Sequence, residues 1–201
     1  MNKKDIVFYS LILLFIIWLS LMLSNNLKWF DEPIYNTIIS FRSSGLDTFM
    51  RFITSLSNPV VIIFLCSLSL IFLFIKKRWP IALVSTSLIS VAFNQGIKNI
   101  VKRPRPLRLR LIEESGYSFP SGHAMGSMAF YGFVILLISK SKINKYFKMV
   151  LILILSVLIL LIGVSRVYLG VHYPSDIVGG FILSMALTLK CFDVFEKRKF
   201  V

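Results

Sequence analysis

Six stretches of this chain, residues 6–24, 59–75, 79–97, 124–139, 149–164 and 177–192, are apolar for long enough to approach or span a bilayer. A hydrocarbon core about 30 Å thick takes roughly 20 helical residues. Inside it every backbone N–H and C=O must be satisfied within the protein, which leaves helices and closed barrels as the only spanning forms. Composition closes off the soluble alternative: 56% of residues are hydrophobic and 16% charged, against about 25% charged in soluble domains. The same bias excludes disorder. The expected fold is therefore all-α, a six-transmembrane-helix bundle forming one integral membrane domain over residues 1–201. Between the first two spans, residues 27–41 place Trp29, Phe30, Ile34, Tyr35, Ile38 and Ile39 at helical spacing among polar residues. That pattern predicts an amphipathic helix lying along the interface, with Trp29 and Phe30 as anchors. The first apolar run follows Lys3 and Lys4 as a secretory signal would, but it is longer than a signal core and no small-x-small cleavage site follows; it reads as a retained span.

Charge orients the bundle. There are 23 basic and 9 acidic residues, a net +14. In a soluble protein that excess would suggest nucleic acid; here most bases fall between apolar runs, where anionic lipid and topology account for them and no nucleic-acid partner is implied. With six spans, Lys3-Lys4, Lys76-Lys77-Arg78, Lys140/Lys142/Lys145/Lys148 and Lys197-Arg198-Lys199 share one side. The positive-inside rule makes that side, and both termini, cytoplasmic. In a bacterial cell membrane, residues 25–58, 98–122 and 165–175 then lie outside. Residues 98–110 break the pattern by carrying Lys98, Lys102, Arg103, Arg105, Arg108 and Arg110 on that outer face. A ligand of concentrated negative charge, such as phosphate, would explain them. Cys66 and Cys191 lack metal-ligand spacing and read as small apolar residues.

The chain's two histidines, His123 and His172, both fall at span boundaries on this outer face. Around them stand Pro120-Ser121-Gly122-His123, Ser165-Arg166 and His172-Tyr173-Pro174-Ser175-Asp176. Attack on a phosphate monoester needs cationic donors around the phosphoryl oxygens, since positioning and electrostatics supply most of the catalysis. Lys98, Arg105 and Arg166 provide them, and the arginine fork matches phosphate geometry. Ser121 and Gly122 precede the fourth span, where backbone N–H groups at a helix start can approach an anion. His172 with Asp176 offers an imidazole whose tautomer a carboxylate can fix, leaving the other nitrogen free to attack phosphorus. His123 is then available to protonate the leaving oxygen and activate water.

These residues form a recognisable pattern. Lys98-x6-Arg105-Pro106, Pro120-Ser121-Gly122-His123 and Ser165-Arg166-x5-His172-x3-Asp176, in that order and spacing, resemble the three-part signature of the type 2 phosphatidic acid phosphatase superfamily. That superfamily includes lipid phosphate phosphatases, bacterial phosphatidylglycerophosphate and undecaprenyl pyrophosphate phosphatases, and vanadium haloperoxidases. The resemblance implies a phosphohistidine intermediate at His172, acid–base work by His123, orientation by Asp176, phosphate binding by Lys98, Arg105, Ser121, Gly122 and Arg166, and no metal or other cofactor. Three cations with a single committed carboxylate also make a poor Mg²⁺ site. Among substrates the family leans to undecaprenyl pyrophosphate, with phosphatidylglycerophosphate next. The pattern itself assigns no role to Lys102, Arg103, Arg108, Arg110, Glu113 or Glu114; for the two glutamates a solvated loop face is the simpler reading, and Tyr168 and Tyr173 suit the interfacial aromatic belt.

Other classes fit less well. A lipid-phosphate transporter or flippase predicts charged residues inside the spans, which are almost free of them. A vanadate-dependent peroxidase is at odds with the spanning architecture, and a purely structural membrane protein leaves the outer basic segment without a purpose.

Overall fold

The computed structural model describes residues 2–75, 77–107 and 109–200; Lys76 of the second basic group and Arg108 of the outer cluster lie outside the described residues. Among the described residues eight α-helices follow in order: α1 (Lys3–Leu23), α2 (Lys28–Ser40), α3 (Ser44–Ser55), α4 (Pro59–Ser69), α5 (Trp79–Val101), α6 (Gly122–Lys140), α7 (Lys145–Tyr168) and α8 (Pro174–Lys197). A 3-10 segment, Leu70–Ile75, extends α4. No strand occurs among the described residues. Helices α1, α5, α6, α7 and α8 are each long and apolar enough to cross a membrane.

The expected second span is built differently from the others. Helices α3 and α4 with its 3-10 extension meet at a 44° bend and qualify only as a pair, as a broken span or a re-entrant loop, so the candidate crossings number five, or six with the pair. The cause is local. Pro59 has no N–H to continue a helix and biases the residue before it away from helical backbone. Asn58 restarts the helix, its side chain accepting from Val60 N at 3.0 Å, with Pro59 in the first turn, where its missing donor costs nothing. Helix α3 has no counterpart among the expected elements: Asp47 and Arg51 interrupt its apolar residues, so it is amphipathic, burying Met50, Ile53 and Thr54.

Helix α8 is the central element, packed by α1, α5 and α6, while α7 lies against α6 and α3. Close packing between α7 and α8 depends on Gly163, where a Cβ would stand 2.6 Å from Ile177 Cγ2. The interfacial helix α2 docks on α7 and α8. Its Trp29 is 74% exposed, whereas Asp31 and Tyr35 are buried. Both ends of the chain meet at one end of the bundle: Lys4 of α1 pairs with Asp193 at 2.8 Å and Glu196 at 2.6 Å, and Glu196 also takes Lys140 from the end of α6.

Candidate active site

At the other end, α5 and α7 finish where α6 and α8 begin, so two C-terminal turns and two N-terminal turns face one loop, residues 102–121. Lys98 lies in the last turn of α5 and Arg166 in the last turn of α7. Ser121 is the N-cap of α6, its hydroxyl accepting from Ala124 N at 3.4 Å, a typical satisfaction of a helix's orphan donors. Gly122 and His123 are the first two residues of α6. A Cβ on Gly122 would lie 3.3 Å from Asn94 Oδ1; Asn94 in turn donates to Pro120 O at 3.0 Å and holds the segment against α5. His172 falls in the short turn between α7 and α8, and Asp176 in the first turn of α8.

His172 and Asp176 are 1% and 0% exposed. His172 Nδ1 stands 3.4 Å from Asp176 Oδ2 and 3.3 Å from Ser118 Oγ. Its Nε2 stands 2.9 Å from Arg105 Nη1. A guanidinium can only donate, so Nε2 carries the lone pair and Nδ1 the proton. Asp176 Oδ2 also accepts from the Ser118 hydroxyl and from Tyr173 N at 2.9 Å. Burial pushes the His172 pKa down to about 4, with the Asp176 carboxylate opposing that shift; at neutral pH the ring is an uncharged imidazole whose Nε2 electron pair accepts from Arg105.

The cations converge on this ring. Arg105 donates to Val171 O at 3.0 Å, Gly116 O at 3.1 Å and Ser115 O at 3.0 Å. Lys98 Nζ donates to Tyr117 O, and to Ser118 O at 3.4 Å. Arg166, 1% exposed, donates to Thr54 Oγ1 of α3 at 2.8 Å and to the Glu114 carboxylate. Its Nε is buried with no hydrogen-bond partner among the described residues. His123, partly exposed at the head of α6, lies close enough to Arg166, His172, Arg105 and Lys98 for their charges to act on it. All eight residues singled out in the sequence thus share one end of the bundle.

Three participants were not distinguished there. Glu114 is no solvated loop residue: it bridges Arg166 and, at 3.7 Å, Arg105. Burial raises its carboxyl pKa, but the two arginines outweigh burial and hold it below the usual range. Arg103 joins Asp176 to Asp31 of α2 at 2.6 and 2.8 Å. Tyr173 faces Arg103, whose guanidinium carbon lies 4.3 Å from the ring centre. The chemistry-bearing types were visible; their partners, 52 to 73 residues away, were not. An open cleft of about 870 Å³, lined by Arg110, Leu111, Ile112, Glu113, Glu114 and Ser115, runs up to the Glu114 side of the site. Among the described residues no three His, Cys, Asp or Glu side chains are grouped as a metal site would require.

A helical membrane bundle with two histidines, a buried carboxylate and a basic cup at one end defines a class: a membrane phosphatase. Residues 79–200 match the PAP2 superfamily, and the chain belongs to it as a PAP2-type lipid phosphatase. It is 33% identical to phosphatidylglycerophosphatase B of Bacillus subtilis over 94% of this chain and 96% of that protein. It is 29% identical to an undecaprenyl-diphosphatase of Sulfolobus acidocaldarius over 88% and 85% of the two chains. The crystal structure of a transmembrane PAP2-type phosphatidylglycerolphosphate phosphatase from Bacillus subtilis superposes with a TM-score of 0.87 over 98% of each chain at 29% identity. Aquifex aeolicus LpxE shares the fold, with a TM-score of 0.66 at 22% identity over 82% of this chain and 95% of its own.

Proposed function

We propose that residues 1–201 act as one phosphatase domain that removes the terminal phosphate from phosphatidylglycerophosphate, without a metal, through a phosphohistidine at His172. The observation that carries this reading is the pairing of a neutral, tautomer-fixed His172 with a basic cup whose Arg166 retains an unpartnered buried Nε. A buried donor of that kind is costly unless an anion completes it. As His172 Nε2 bonds to phosphorus, the bond from phosphorus to the lipid oxygen breaks, and that oxygen takes a proton from His123. Water then attacks the phosphohistidine and gives its proton to His123. The P–N electron pair returns to Nε2, and inorganic phosphate leaves. Lys98, Arg105 and Arg166, with the Ser121 hydroxyl and the Gly122 N–H, hold the phosphoryl oxygens throughout, the Ser121 N–H being donated to Asp176 O at 3.1 Å.

The length-wide similarity to a phosphatidylglycerophosphatase supports that lipid as the first substrate, ahead of the undecaprenyl pyrophosphate toward which the motif alone leaned. The undecaprenyl-diphosphatase relative supports undecaprenyl pyrophosphate as the second substrate. Phosphate release from a panel of purified lipid phosphates, compared between wild type and His172→Ala, tests both points. The variant should lose at least about 10³-fold in turnover, as loss of a nucleophile does elsewhere. It should remain monodisperse in detergent; retained turnover would overturn the nucleophile assignment. Vanadate should inhibit and EDTA should not, and activity lost to EDTA and restored by Mg²⁺ would overturn the metal-free mechanism.

A further inference from the structure

Asp176 spends one oxygen on His172, Ser118 and Tyr173 N; its other oxygen is taken by Arg103. Arg103 Nη1 donates to Asp176 Oδ1 at 2.6 Å and to Ser175 Oγ at 2.7 Å, while Nη2 donates to Asp31 Oδ2 at 2.8 Å. Asp31, 5% exposed, lies on α2, outside the three motif segments. Its Oδ1 accepts from Ser175 N at 2.8 Å and its Oδ2 from Ser175 Oγ at 2.7 Å. Trp18 of α1 closes the cluster by donating to Ser175 O at 3.0 Å. One planar guanidinium therefore bridges two buried carboxylates, a geometry its rigid fork suits and an ammonium does not. Each partner solves the other's problem: a buried carboxylate oxygen or guanidinium left alone would be heavily penalised.

We infer that Arg103 and Asp31 are positioning residues for phosphoryl transfer: Asp31 of the interfacial helix clamps Arg103, and Arg103 aims Asp176 at His172. The inference rests on the reading of His172 as nucleophile. Neither residue makes a described hydrogen bond to Lys98, Arg105 or Arg166, so the clamp acts on the attacking ring and leaves the phosphate cup alone. It also ties α1 and α2, which flank the motif-bearing helices, to the reacting imidazole.

The test measures kcat, KM and the inorganic-phosphate inhibition constant for Arg103→Ala, Arg103→Lys, Asp31→Asn and the Asp31→Asn/Arg103→Ala pair, with His172→Ala as reference. Arg103→Ala should lower kcat about 10- to 100-fold, the usual loss when a supporting partner of a reactive group is removed, with KM and phosphate inhibition unchanged. Arg103→Lys should recover part of that loss. Asp31→Asn should lower kcat alone and add nothing in the Arg103→Ala background, because the two act in series. Wild-type kcat in Arg103→Ala, equal losses in kcat and phosphate affinity, or additive losses in the pair would each overturn the inference. If Arg103→Ala fails to fold, the same division between kcat and phosphate inhibition in Asp31→Asn and Arg103→Lys decides it. An active His172→Ala would instead overturn the nucleophile reading beneath it.

Discussion

At the residue scale, what makes His172 reactive also makes it a liability to the fold. Its folded pKa of about 4 lies below the ordinary 6.5. Between those values the unfolded chain takes up a proton that the native site refuses. The ring therefore costs nothing above pH 6.5, where both states hold it neutral, and the penalty grows as pH falls toward 4, to about 3 kcal/mol in all. Thermal unfolding in detergent from pH 7.5 to 4.5 should show a Tm that declines on acidification, and His172→Gln should flatten that decline. Identical pH profiles for the two proteins would mean that the ring is not held neutral by burial. The motif residues were legible because their spacing is local: three or four positions bring His172 to Asp176 and Ser121 to the start of α6. Glu114 and Arg103 were not. Each is one charged residue in a loop, and what distinguishes it is a partner on another helix that only the packed fold brings near.

The elements show the same division. Helices α1, α5, α6, α7 and α8 follow from uninterrupted apolar runs, since lipid enforces internal hydrogen bonding on any such segment. Helix α3 and the bend before Pro59 did not, because Asp47 and Arg51 lower the apolar signal although the helix packs beside Arg166. Elements that carry few motif residues still shape the site. Gly170, just past α7, has φ +77°, and a Cβ there would stand 2.7 Å from Leu109 O. The turn is pinned to the loop by Leu111 N donating to Leu169 O at 3.0 Å, and Arg105 grips it one residue later, at Val171. Gly170→Ala meets both a left-handed backbone and a backbone oxygen, a strain of about 1–3 kcal/mol. At about 2–4 °C per kcal/mol, Tm should fall by several degrees. Because His172 follows two residues on, kcat should fall with it. A variant with unchanged Tm and kcat would show that the turn yields freely and does not hold the nucleophile in place.

Across the whole molecule, charge is divided by purpose between the two ends. At the end bearing the termini, Lys4, Lys140, Lys190 and Lys197 pair with Asp5, Asp193 and Glu196, and Lys77, Arg78, Lys142, Lys145 and Lys148 add further basic groups. At the site end, Lys98, Arg103, Arg105 and Arg166 are turned inward onto the histidines, carboxylates and loop carbonyls. Discounting these engaged cations sharpens the basic asymmetry, and basic residues near span ends are the ones that decide orientation. The chain should therefore sit with both termini in the cytoplasm and the site at the outer head-group level, where a lipid's tails stay in the bilayer while its phosphate reaches Arg166. Leu107, 88% exposed beside the site, and Lys142, exposed in the α6–α7 turn, report the two sides. In a background with Cys66 and Cys191 replaced by Ser, a membrane-impermeant maleimide added to intact cells should label Leu107→Cys at once and Lys142→Cys only after permeabilisation. The reverse pattern would put the site on the cytoplasmic leaflet, and its substrate would then have to be a lipid phosphate presented on that side.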